Sequence, residues 1–253
     1  MPRLRPISIT DSNAYAAVKN GDDLLFHKVK PKINDIHWWI QRISWTDHCA
    51  KAIWIEKDGV PTLHAIGTYK YIALIKGWFG KWKQRTRYAI LYTPIEIITD
   101  FYEGTNVYWG PLSGEARSRF NDEEFKKVCD KMEGVPYDYW HLLGVGIDDK
   151  HINWLMKGLK FLPFHKAWWG KALKKIFRNK EMISKVVCSG FTSYADRKST
   201  GVKIENISEM TPQDQAMRGI HSSNYYQLLG DHLLIPNYNT EQVEYLENKK
   251  EGV

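Results

Sequence analysis

Trp45-Thr46-Asp47-His48-Cys49-Ala50-Lys51-Ala52-Ile53-Trp54-Ile55 decides how this chain is read. His48, Ala50, Ala52 and Trp54 alternate onto one face of a strand, and Cys49, Ile53 and Ile55 onto the other. Lys57-Asp58-Gly59 follows as a hairpin turn signal. Pro61-Thr62-Leu63-His64-Ala65-Ile66-Gly67 reads as the returning strand. The hairpin carries one histidine on each strand, and folding at Asp58-Gly59 brings His48 and His64 within a few pair positions of each other. Whether they share a face depends on register, because a slip of one residue sends a side chain to the opposite face.

Upstream, Gly21-Asp22 feeds the apolar run Leu24-Leu25-Phe26, a second strand start, and residues 34–43 have helical spacing at Ile36, Trp39, Ile40 and Ile43. Residues 1–20 read as a lead-in, with Asp11-Ser12-Asn13 capping Ala14–Val18. Downstream, residues 59–95 hold six Lys or Arg and no acid, and Lys76–Arg87 reads as an exposed loop of aromatic and basic residues. Tyr88–Tyr92 and Val107–Leu112 look like further strands. Asn121 caps a helix whose Phe125, Val128, Cys129 and Met132 share one face, so Cys129 is a core residue. Residues 151–180 hold eight Lys or Arg and no acid; Trp168, Trp169, Ala172, Leu173, Ile176 and Phe177 form a helical face ringed by Lys171, Lys174 and Lys175. That is the composition of an interfacial helix, and equally of an amphipathic helix packed on its own domain.

The stretch Lys185-Val-Val-Cys188-Ser189-Gly190-Phe-Thr-Ser-Tyr-Ala195 sets a cysteine between a short β-branched run and a helix reaching to about Asp196. The first turn of a helix has free N–H groups and the positive dipole end, both of which stabilise a thiolate. Val202–Ile207 reads as a strand, Thr211-Pro212 as a helix start with Pro at its first position, and the chain from about Gly219 as a polar tail lying over the body. One domain of 1–253 fits best: a core of about 20–215, an insert of about 140–184 and a tail of about 219–253.

The 253 residues carry a net charge of +7, which favours an anionic partner. The three cysteines, Cys49, Cys129 and Cys188, are too few and too irregularly spaced for a disulfide framework or a zinc cluster. No metal or nucleotide signature is present, so no cofactor is expected, and no nucleic-acid motif stands out. The N-terminus lacks the apolar stretch of a secretory signal and there is no spanning run of apolar residues; the expected site of synthesis is the cytoplasm, where Cys188 stays a thiol.

Six motifs in this order resemble the circularly permuted papain-like proteins of NlpC type, including the YiiX-like proteins and the lecithin:retinol acyltransferase group. Gly21-Asp22 resembles the family's opening Gly-Asp strand. Thr46-Asp47-His48-Cys49-Ala50-Lys51-Ala52 resembles its strand with the catalytic His, although Asp47 stands where a small residue is commoner. Asp58-Gly59 with His64 resembles the next strand and its third polar residue, and Gly134-Val135-Pro136-Tyr137-Asp138 the segment before the nucleophile. Val187-Cys188-Ser189 resembles the nucleophile motif, and Thr211-Pro212-Gln213-Asp214 the closing one. The resemblance covers about residues 20–215, interrupted by the insert, and implies an α+β fold with an antiparallel sheet and the Cys188 helix packed on it, Cys188 facing His48.

The implied chemistry is acyl transfer. Cys188 attacks a carbonyl, His48 moves the proton, His64 orients His48, and the Cys188 N–H helps bind the oxyanion, with Tyr137 as a further hydroxyl donor or a packed core tyrosine. The expected function is a thiol amidase or peptidase acting on peptidoglycan peptides, released by lysis or carried in a phage particle. One alternative is a lipid acyltransferase or hydrolase docked on anionic membranes through Trp78, Trp82, Trp168, Trp169, Lys171, Lys174 and Lys175. Another is a non-enzymatic protein of a virion or of nucleic acid that keeps the fold.

Overall fold

A computed structural model describes residues 3–6, 16–31, 40–41, 44–76, 82–95, 97–98, 104–137, 188–204, 207, 210–230 and 233–246. The architecture is α+β. Seven strands, β1 (Arg3–Pro6), β2 (Asp23–Lys28), β3 (His48–Lys57), β4 (Val60–Lys76), β5 (Trp82–Pro94), β6 (Thr105–Gly110) and β7 (Asn224–Leu229), form one sheet in the order β1-β7-β6-β2-β3-β4-β5. All pairs are antiparallel except β1 with β7, which is parallel. The described helices are α1 (Gly114–Arg119), α2 (Asp122–Met132), α3 (Cys188–Thr200) and α4 (Pro212–Met217). Among the described residues no helix is long and apolar enough to cross a membrane.

The expected alternation along β3 holds. Ala50 and Ala52 pack with Leu24, Phe26, Leu63, Ala65 and Tyr69 on one face of the sheet. On the other face, Ile53 joins Ile66 and Ile90 beneath Phe125, Val128 and Met132 of α2 and Phe191 and Ala195 of α3. Cys129 is fully buried in that second cluster, as its helical spacing predicts. The turn at Asp58-Gly59 takes left-handed backbone at both residues (φ 53° and 77°), the conformation a two-residue hairpin needs. It pairs Lys57 with Val60 and thereby fixes every pair behind it.

Four expectations fail. Lys76–Arg87 is not one exposed loop, because β4 runs to Lys76 and β5 starts at Trp82, joined by thirteen pairs from His64↔Pro94 to Lys76↔Trp82. The lead-in contains β1, whose pairing partner in β7 lies at the far end of the chain. The tail is not merely draped over the body: β7 is an interior strand between β1 and β6, with Tyr225 buried and Tyr226 stacked on Trp109 at 4.6 Å. Among the described residues of Val202–Ile207 there is only a bridge from Val202 to Tyr245. The helix before it runs on to Thr200, where Ser199 and Thr200 hydroxyls donate to Ala195 O and Asp196 O (both 2.8 Å), and ends at Gly201 with φ 72°. The expected helix at 34–43, the lead-in cap at 11–13, the run Val186-Val187 and the insert at 140–184 lie outside the described residues, apart from positions 40 and 41.

The segment before β3 is pinned to α4. Thr211 closes a capping box with Asp214, as the Thr-Pro-Gln-Asp sequence suggests, with Pro212 opening the helix. From the same turn, Gln213 N–H donates to Ser44 Oγ (3.0 Å), and Gln213 Oε1 accepts from Thr46 N–H and Oγ1 (both 3.2 Å). The β3 start is thus held at the end of the sheet where α3 begins.

Candidate active site

Cys188 is the first residue of α3 and is 3% exposed. It packs with Cys49, Leu25, Tyr108, Ala216 and Tyr225 on the helix-covered side of the sheet. One turn further along α3, Thr192 Oγ1 lies 3.4 Å from Cys49 Sγ and donates to Ser189 O at 3.0 Å. Cys188 and Thr192 are four residues apart, so both project from one helix face onto the start of β3.

The thiol at Cys188 is held well below its ordinary range. A hydrogen bond from Cys49 contributes most, burial opposes it, and a hydrogen bond and the charge of His48 add to the lowering. Cys49 moves the other way: burial pushes its thiol well up, and the neighbouring Cys188 pushes it further. Cys49 therefore stays protonated and donates while Cys188 carries the charge. Cys129 is pushed up by burial, the condition of an inert core thiol.

His48 opens β3 and is 5% exposed. Its ring lies against Phe26 at 5.0 Å and edge-on to Tyr69 at 5.5 Å. Its Nε2 is buried and has no hydrogen-bond partner among the described residues. His64 is not brought to it. His64 stands opposite Ile53 and its Nδ1 is 3.0 Å from Thr62 O. Counting back from Lys57↔Val60 puts position 69 opposite His48, which leaves His64 five residues along the strand, about 17 Å away. The odd offset also turns His64 to the opposite face. On β4 the residue beside His48 is thus Tyr69, and the orienting role expected of His64 is not met.

Tyr137 lies beyond the edge strand β5, where its N–H donates to Tyr88 O (3.0 Å) and its ring is 6.4 Å from that of Tyr88. β4 and β5 stand between it and β3. Trp82 opens β5. Trp78, Trp168, Trp169, Lys171, Lys174 and Lys175 lie outside the described residues.

Beside the cysteines is a fully buried ionic cluster that sequence reasoning missed. Lys51 Nζ, on the same face of β3 as Cys49, pairs with Asp23 of β2 and with Asp196 of α3 (2.5 Å), and donates to Gly21 O at 3.1 Å. Gln215 Nε2 donates to Asp23 Oδ2 (2.6 Å) and Asp196 Oδ2 (2.7 Å), and His221 Nε2 lies 2.6 Å from Asp23 Oδ2. Burial alone would raise Asp23, but Lys51 and then His221 hold it far below the carboxylate range; burial keeps Asp196 above that range despite Lys51. The only local signal was a lysine interrupting an apolar strand.

Among the described residues no group of three or more His, Cys, Asp or Glu could hold a metal ion. No family model matches the chain, and no curated protein matches it. The arrangement offers a nucleophilic thiolate at a helix N-terminus, a thiol that donates to it and an imidazole beside it. Such a set can attack a carbonyl and return a proton to a leaving group.

Proposed function

We propose that this chain is a thiol hydrolase of permuted papain-like type that cleaves an amide, with peptidoglycan peptides as the substrate class. The observation that carries the reading is the seat of Cys188, the first residue of α3, packed in one cluster with Cys49 of β3; Cys49 and His48 lower its thiol there. In the proposed reaction Cys188 Sγ attacks the carbonyl carbon, and the oxyanion that forms is met by N–H groups of the first turn of α3. His48 gives its proton to the departing amine, leaving a thioester on Cys188. Water, deprotonated by His48, then releases the acid and restores the thiolate. Support for the frame comes from the order of its parts: a Gly-Asp strand, a hairpin that begins with His48, and the Cys188 helix last. The net charge of +7 suits an anionic wall polymer.

The test is alkylation by iodoacetamide between pH 4 and pH 9, read by peptide mass spectrometry, beside release of new amino groups from purified peptidoglycan. Cys188 is expected to label fast below pH 7 in the wild type and slowly in His48→Ala, and amine release to vanish in Cys188→Ala. Labelling that rises only near about pH 8.5, the range of a free thiol, and is unchanged in His48→Ala would overturn the proposal.

A further inference from the structure

We propose that Cys49 and Cys188 form a reversible disulfide that switches the candidate nucleophile off under oxidation, a redox modification site built from the strand and the helix that meet there. The proposal rests on the reading of Cys188 as an activated thiol, and goes beyond it by giving Cys49 a covalent role.

The two thiols are free and buried, and they share one packed cluster. Cys49 Sγ lies 3.4 Å from Thr192 Oγ1, one turn along α3 from Cys188, and Thr192 donates to Ser189 O, one residue from Cys188. The two sulfurs are carried by β3 and α3, which pack against each other in that cluster. Their ionisation is also complementary. A thiol shifted down is the one that reacts with a peroxide, and a neighbour kept protonated beside it is positioned to condense with the product. Cys129 lies in a different cluster, under α2, and is the internal control.

The oxidant is hydrogen peroxide or another small hydroperoxide. The Cys188 thiolate attacks the peroxide O–O bond, giving a sulfenic acid at Cys188 and hydroxide, which takes up a proton to become water. Cys49 Sγ then attacks the sulfenic sulfur; its S–H proton leaves with the hydroxyl group as a second water, and the S–S bond forms. Two thiols are oxidised by two electrons and one peroxide is reduced to two waters. A dithiol reductant reverses the step by thiol–disulfide exchange.

The test treats the full-length chain with graded hydrogen peroxide, blocks free thiols under denaturing conditions and maps the peptides by mass spectrometry with and without dithiothreitol. Expected is a cross-linked pair of the Cys49 and Cys188 peptides, lighter by two hydrogens and cleaved by dithiothreitol, with Cys129 still free. Iodoacetamide labelling of Cys188 in the folded protein is lost after peroxide and returns after reduction. In Cys49→Ser, which keeps a hydroxyl donor beside Cys188 but cannot form the S–S bond, the same treatment carries Cys188 on to sulfinic acid, which dithiothreitol does not restore. Sulfinic acid at Cys188 in the wild type with no cross-link would overturn the disulfide while leaving the activated thiol standing. Cys188 oxidising no faster than Cys129 would remove the activated thiol and the disulfide together.

Discussion

Lys51→Met is expected to be the most damaging single substitution outside the thiol site. The side chain is 0% exposed and satisfies two carboxylates and a carbonyl at once, across β2, β3 and α3. Methionine fills a similar volume but removes the charge, leaving Asp23 and Asp196 buried without their main cation. Breaking a buried pair from one side costs about 3–5 kcal/mol, a large part of the roughly 5–15 kcal/mol by which domains are stable. For a chain of this size that is a fall in melting temperature of roughly 6–20 °C. Asp196→Asn added to Lys51→Met should recover part of the loss, since Gln215 can still donate to the amide oxygen and the one carboxylate left without Lys51, Asp23, keeps Gln215 and His221.

The pH dependence has a definite sign. In the wild type, Lys51 is held above its unfolded range by Asp196 and Asp23 against burial, so its contribution is full below about pH 10.4 and is lost as pH rises through the folded value. Asp23 is depressed, so its contribution is full above about pH 3.9 and is lost as pH falls through the folded value. In Lys51→Met the strongest opposition to burial is gone at both carboxyls, so both should rise, with His221 and Arg218 still opposing. The deficit against wild type should therefore be larger at pH 8 than at pH 5. Urea unfolding followed by tryptophan fluorescence at both values measures it. A midpoint at pH 8 equal to wild type with an unchanged slope, or a deficit that grows towards acid, would refute the account of Lys51 as the charge that permits two buried aspartates.

His64→Ala should leave the pH profile of Cys188 alkylation where it is, whereas Tyr69→Ala, which removes the ring edge-on to His48, should change it; the reverse outcome would restore the expected triad. Thr211→Ala removes one half of a complete capping box and should cost about 1 kcal/mol in urea unfolding. Gly21→Ala should cost more, because the backbone is left-handed there (φ 82°) and an added Cβ would fall 2.2 Å from the Phe120 ring; a variant as stable as wild type would show that ring free to move.

Short-range signals carried well from sequence to structure. The alternation of residues 48–55, the Asp58-Gly59 turn, the capped helix under Cys129 and the Thr211-Pro212 start are each set by a few adjacent residues, and each appears where the sequence puts it. Even the failure of His64 was legible. A two-residue turn at Asp58-Gly59 fixes the pairs, and Leu63 and Ala65 then face one side while His64 and Ile66 face the other. What could not be read was pairing between distant segments. β1 joins β7 across the whole chain, and Asp23, Lys51, Asp196, Gln215 and His221 converge from four separate elements and one loop. No local pattern encodes such a meeting; only the burial of the charges, seen in three dimensions, shows why each is needed.

The same cluster bears on which side of β3 the nucleophile's helix takes. Sequence alternation offers two faces, one with His48 and one with Cys49 and Lys51. Along α3, Cys188, Thr192 and Asp196 recur every four residues and form one stripe, and the last of them is a buried carboxyl. The face with Lys51 brings the nearest cation to it, beside Arg218 at 3.8 Å. Placing α3 there seats Asp196 on Lys51, brings Thr192 to Cys49 and leaves Cys188 over the start of the strand. His48 then reaches the thiol from the first position of β3, where the strand begins, rather than from the middle of the covered face. The electrostatic cost of Asp196 thus favours the face on which Cys49, and not His48, shares a packed cluster with Cys188. If that is the cause, Asp196→Leu with Lys51→Met, which makes the stripe apolar, should keep α3 in place and keep Cys188 reactive below pH 7. Loss of Cys188 reactivity in a double variant that still unfolds cooperatively would mean the thiol depends on the charges themselves and not on the seating of the helix.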